Sequence, residues 1–108
     1  RRAPIPVRPP TSMAAPTLSD IEIQRALGEL PGWSRRGDVI TKHYVAPSFM
    51  AGIAFVQRIA EAAEAADHHP DIDIRWTKVI VALSTHDSGG ITAKDIALAK
   101  QVEALFAA

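Results

Sequence analysis

The chain has 108 residues, twelve basic and twelve acidic for a formal charge of zero, and no cysteine. That length carries one core and one site rather than two ordinary domains, and the charge balance leaves no net field to draw polyphosphate or an anionic surface, so nucleic acid is not an expected partner. The lack of cysteine excludes disulfides, thiolate ligands and a thiol nucleophile, and no apolar run approaches the ~18 residues of a bilayer span, so no membrane association and a soluble, cytoplasmic protein are expected.

Residues 1–16 are rich in proline, carry Arg1, Arg2 and Arg8, and show no apolar periodicity. A disordered extension is expected there, with the folded domain at 17–108. Order is expected to begin at Leu18. Ser19 with Glu22 forms a capping box, and Leu18 with Ile23 stands at the staple positions, which predicts a helix over 20–29. Pro31 and Gly32 end it. Residues 33–35 and 39–46 read as two strands joined across Arg36, Gly37 and Asp38. His43 falls in the second of them and reads as an ordinary strand histidine.

Ser48 is the expected N-cap of a long helix running to Ala66. Its polar residues Gln57, Arg58, Glu61 and Glu64 share one side. Phe49, Ile53, Val56, Ala60 and Ala63, with Phe55, Ile59, Ala62 and Ala66, cover most of the rest, a stripe wider than one sheet face requires. The excess suits either a generously buried helix or a contact between subunits. Residues 72–76 and the β-branched run 79–83 then predict a second hairpin, turning near Thr77 and Lys78. After a loop at 88–90, Thr92 and Asp95 form a second capping signal with Ile91 and Ile96 as its staple, and a last helix is predicted over 93–107. The order α-β-β-α-β-β-α is that of an α+β fold: a four-stranded antiparallel sheet with three helices packed on one face. There is no glycine-rich phosphate loop between a strand and a helix.

Three of the four histidines fall at the ends of the second hairpin: His68 and His69 before its first strand, His86 after its second. The hairpin brings those ends together. Three roles compete for them. Histidines that close a helix interact favourably with its carboxyl-end dipole, by ~0.3–1 kcal/mol, but that leaves His86 unexplained. A metal site could draw oxygen from Glu64, Asp67 or Asp87, yet adjacent histidines point apart and no His-x3-His spacing is present, so no metal is expected. Acid and base catalysis fits all three, because imidazole titrates at about 6.5 and can serve in either role near neutral pH. Thr85, His86, Asp87 and Ser88 then make a strand-to-loop edge able to hydrogen-bond a flat heterocycle, while Pro70 fixes the turn leaving the histidine pair. Glu64, one helical turn before His68, is the group expected to orient it. Asp95 has a local explanation as a cap and stays outside the catalytic set.

Glu64, three residues, His68-His69-Pro70, five residues, Trp76, nine residues, His86, eight residues, Asp95: this ordered set, with the phrases DHHP and LSTH, resembles the pterin-4a-carbinolamine dehydratase family over roughly residues 17–106. The chain departs from it at Ile72, near where many members carry a tryptophan, so that aromatic ring is not carried over. The resemblance implies dehydration of a 4a-hydroxytetrahydropterin to quinonoid dihydropterin and water, with pterin as substrate and no cofactor. His68 and His86 would exchange the protons, and His69 would bind and orient the ring. It also implies a homodimer or homotetramer, with sheets joined edge to edge and the long helices packed together, and an aromatic amino-acid hydroxylase in the same pathway. The alternative is a non-catalytic dimerisation or scaffold subunit, or a coactivator-like partner of transcription factors.

Overall fold

The computed structural model describes residues 15–107, so the expectation for the first fourteen residues lies outside the described chain. Helix α1, Asp20–Leu27, starts as predicted: the Ser19 side chain accepts from the Glu22 N–H, and the Glu22 carboxylate accepts from the Ser19 N–H. It stops two residues early, at Gly28, where glycine lowers helix propensity by about 1 kcal/mol. Tight turns closed from Glu29 to Ala26 and from Leu30 to Leu27 follow, and they tuck Leu30 and Trp33 into the core.

Strands β1 (Ser34–Arg36) and β2 (Val39–Val45) form the first hairpin. Gly37, with φ 58°, takes the positive φ that a two-residue hairpin loop requires at its first position. The second hairpin joins β3 (Asp71–Arg75) and β4 (Lys78–Leu83). Its turn lies at Trp76 and Thr77, one residue before the predicted place, because Trp76 adopts φ 55°, a conformation rare for a bulky side chain. The sheet order is β1-β2-β4-β3, all antiparallel, with β2 and β4 at the centre.

One sheet face meets the helices. Ile40, Tyr44, Val79, Val81 and Leu83 alternate onto it and are buried. Helix α2, Phe49–Ala66, covers them with Gly52, Phe55, Ile59 and Ala63, and helix α3, Ala93–Ala107, adds Leu98, Ala99 and Val102. Gly52 sits so near β4 that an added Cβ would lie 3.5 Å from a Val79 methyl, which lets the helix rest closely on the sheet. The expected stripe of α2 is thus divided: its Phe49 is 46 % exposed, beside Met50 at 72 %, which the stripe did not include, while Phe55 and Ile59 take the core positions.

Where α3 crosses the sheet, the Glu103 carboxylate accepts from Lys42 Nζ at 2.7 Å, from Trp33 Nε1 at 3.2 Å and from the Tyr44 hydroxyl. Burial alone would raise the Glu103 carboxyl, but the donors from Lys42, Tyr44 and Trp33 outweigh it and hold it below the ordinary carboxylate range. A group lowered in this way contributes stability above its unfolded pKa and loses it as pH falls through the folded value. Glu103→Gln should therefore destabilise the protein by about 1 kcal/mol or more at neutral pH, and the gap should close in acid. Chemical denaturation at several pH values measures it, and an equal gap at neutral and acid pH would refute the account.

Candidate functional site

Asp71 pairs with Ala82 across β3 and β4, so the chain entering β3 and the chain leaving β4 lie at one end of the sheet. That register brings the segment His68–Pro70 and the segment Ser84–His86 together. Trp76, although part of the motif spacing, is at the opposite end of β3 and is 77 % exposed.

Helix α2 ends with Asp67 in the left-handed region, φ 50° and ψ 44°. The His68 N–H reaches back to the Ala63 carbonyl at 3.0 Å and the Asp67 N–H to that of Glu64 at 3.2 Å, a Schellman closure made with aspartate where glycine is usual. This reversal turns the two histidines to different carboxylates. His68 Nε2 meets Asp95 Oδ1 at 2.6 Å, and the His69 Nε2 meets Glu64 Oε2 at 2.5 Å. Glu64 therefore partners His69 rather than His68, which corrects the expectation from helical spacing: the left-handed residue between them breaks the periodicity that would have placed Glu64 under His68.

The two pairs differ in burial. The His68 side chain is 11 % exposed and Asp95 is fully buried, whereas His69 and Glu64 are 56 % and 76 % exposed. The exposed pair contributes little to stability. Asp95 is held on every side: its Oδ2 accepts from the Thr85 hydroxyl at 2.8 Å and from the Thr92 N–H at 2.9 Å, and Thr85 and Thr92 share a further hydroxyl bond at 2.8 Å. Because Thr85 donates its single hydroxyl proton to Asp95, Thr92 must be the donor in the threonine pair. Asp95 is thus the predicted cap of α3 and something more. One oxygen caps the helix while the other fixes an imidazole. The signal in the sequence was its place in the ordered motif, which its capping role obscured.

His86 opens a single 3₁₀ turn, His86–Ser88, and is exposed. None of the described hydrogen bonds reaches its ring, so it is open to solvent or to a ligand. Asp87 beside it is exposed as well, and Pro70 is half-buried where the chain turns into β3. Thr85 is buried, with its hydroxyl directed to Asp95. The Ser88 hydroxyl donates to the Ala15 carbonyl. Among the described residues no group of three or more His, Asp or Glu is placed to hold a metal ion. His43 lies away from this cluster, lining a shallow groove of about 720 Å³ on the uncovered sheet face with Arg36 and Thr41. The groove does not coincide with the histidine cluster.

The model of the family described as pterin 4 alpha carbinolamine dehydratase matches residues 16–105. A Roseiflexus castenholzii protein with the provisional name pterin-4-alpha-carbinolamine dehydratase is 55 % identical over 92 residues, 85 % of this chain and 99 % of that one. A Nocardia farcinica protein of the same provisional name is 55 % identical over 93 residues, 86 % of this chain and 98 % of its own. Among solved structures, a transcriptional coactivator/pterin dehydratase from Brucella melitensis superposes with a TM-score of 0.80 at 32 % identity, over 82 % of this chain and 97 % of that one. A pterin dehydratase-like protein identified as a RuBisCO assembly factor in the alpha-carboxysome shares the fold, with a TM-score of 0.57 at 24 % identity, over 68 % of this chain and 86 % of that one.

Proposed function

The chain belongs to the pterin 4 alpha carbinolamine dehydratase family, and from that membership and the histidine geometry we propose that it dehydrates a 4a-hydroxytetrahydropterin by acid and base catalysis without a metal. The observation that carries the mechanism is the 2.6 Å contact between His68 Nε2 and the buried Asp95 carboxylate. With both Asp95 oxygens engaged as acceptors, Nε2 is the ring nitrogen that bears the proton. Nδ1 is left with its lone pair for the substrate. His68 is then the base: it takes the N5 proton while Asp95 stabilises the imidazolium that forms.

The electrons of the N5–H bond make the new double bond between N5 and C4a, and the bond from C4a to its hydroxyl breaks. The departing hydroxyl receives a proton from His86 and leaves as water, so one proton lost and one gained balance the reaction. His69, held by Glu64 and half exposed, binds and orients the pterin. Thr85, expected on this edge, is buried with its N–H and carbonyl bonded within the loop, so the backbone of Asp87 and the Ser88 carbonyl form the edge against which the flat ring lies, and Pro70 shapes the approach. In the cell this would return oxidised pterin to use after an aromatic amino-acid hydroxylase turns over. The test is turnover of freshly generated 4a-hydroxypterin with and without the protein, and folded material that gives no acceleration would sink the reading. In that case the second reading, a partner or scaffold subunit, takes its place. Its support is the double description of the Brucella structure, and the exposed Phe49 and Met50 on α2.

Two further outcomes follow from this reading. Chelators should leave activity intact and elemental analysis should find no stoichiometric metal, because His68 and His69 each face a separate carboxylate instead of converging on one point. Activity lost to a chelator and restored by zinc would overturn the mechanism. The protein should also be a dimer or tetramer in which the outward face of α2 is covered. Sedimentation at micromolar concentration checks this, with a monomeric mass as the contrary result.

A further inference from the structure

Each of the first two histidines is held by a carboxylate, but nothing described holds the His86 ring. Its position rests on the backbone of a three-residue 3₁₀ turn, an element with poor hydrogen-bond geometry, followed by Gly89 at φ 74° and Gly90. Such a turn needs anchoring beyond its own hydrogen bonds. One anchor is internal to the loop: Thr85 and Gly90 pair across it, with N–H to carbonyl distances of 2.9 and 3.3 Å. The other comes from the segment before α1. Ser88 donates its hydroxyl to the Ala15 carbonyl, Thr17 pairs with Thr92, and the Leu18 N–H bonds the Ile91 carbonyl at 2.9 Å. The segment lies directly on the loop backbone, since a Cβ added at Gly90 would stand 3.3 Å from the Thr17 methyl.

We propose that residues 15–18 are a strap that holds the His86 turn in its working position, and that Ser88 is a positioning residue acting through that turn. The proposal rests on the dehydratase reading for its kinetic consequence, but its structural content stands on the contacts alone. Ser88 was expected to meet the substrate. Its hydroxyl proton is committed to the strap and its N–H to the Thr85 carbonyl, so only its carbonyl and its hydroxyl lone pairs remain for other partners.

The test is Ser88→Ala, read in two ways. In turnover of 4a-hydroxypterin the variant should lose about tenfold in kcat with little change in KM, the result of a displaced proton-transfer group. That loss should vanish in a His86→Ala background and persist in a His69→Ala background, because Ser88 acts on His86 and His69 serves binding. Ser88→Thr, which keeps the hydroxyl, should restore the rate. Independently of activity, amide hydrogen exchange at Ser88, Gly89 and Gly90, whose N–H groups bond the Thr85 carbonyl, should accelerate in Ser88→Ala while β4 and α3 stay protected. An undiminished Ser88→Ala defect in the His86→Ala background, or unchanged exchange in the loop, would overturn the strap. A wild-type protein without turnover would instead sink the dehydratase reading, leaving the exchange result to decide the strap.

Discussion

Replacing either His68 or His86 with Ala should lower the turnover of 4a-hydroxypterin by on the order of 10² or more while leaving the fold intact. The two groups serve one bond-breaking event. Removing the base leaves the N5 proton without an acceptor, so the N5–H electrons are not released into the new double bond, whereas removing the acid forces the hydroxyl to leave as hydroxide. Once either is gone, the other assists a reaction already limited elsewhere, so the double variant should lose far less than the product of the single losses. His69→Ala should behave differently. Its ring sits half exposed on Glu64, away from the buried Asp95, and as an orienting group it should mainly raise KM, with a smaller loss of kcat. Equal kinetic defects at His68 and His69, or a near-normal rate after both His68→Ala and His86→Ala, would show that the roles are assigned wrongly.

The parts of the molecule that could be read from the sequence are those decided by local physics. The Ser19 and Glu22 box, the Ser48 cap and the β-branched apolar run of β4 each involve residues within a few positions of one another, and the structure shows all three. The failures share a cause too. The turn at Trp76 depends on a positive φ that nothing in a tryptophan announces, and the ending of α2 depends on Asp67 taking a conformation usually given to glycine. That second choice moved Glu64 from His68 to His69. The Glu103 network joins Trp33, Lys42 and Tyr44 to a helix some sixty to seventy residues later, beyond the reach of any pattern in the chain. Within the site, the histidines were legible through their spacing, but the partner of His68 was not. Asp95 satisfied a helix cap so completely in sequence terms that its second oxygen was left without a task. Only the folded chain, which places it against a residue 27 positions earlier, supplies one.

Asp95 is accordingly the position where two replacements should separate structure from chemistry. Asp95→Ala removes the acceptor for the Thr85 hydroxyl and the Thr92 N–H inside a fully buried site, and leaving such donors unpaired costs about 1–3 kcal/mol. Asp95→Asn is nearly isosteric and keeps an oxygen for the two threonine donors, so its stability should stay much closer to wild type. Its amide, however, presents N–H to His68. Nε2 must then accept, the ring proton moves to Nδ1, and the atom that should take the N5 proton is already occupied. The Asn variant should therefore fold well and still lose on the order of 10² or more in kcat, through the wrong tautomer rather than a damaged fold. Thermal denaturation and turnover, measured on both variants, separate the two effects. A stable Asp95→Asn protein turning over within a factor of about two of wild type would mean that the carboxylate caps α3 and does nothing for His68.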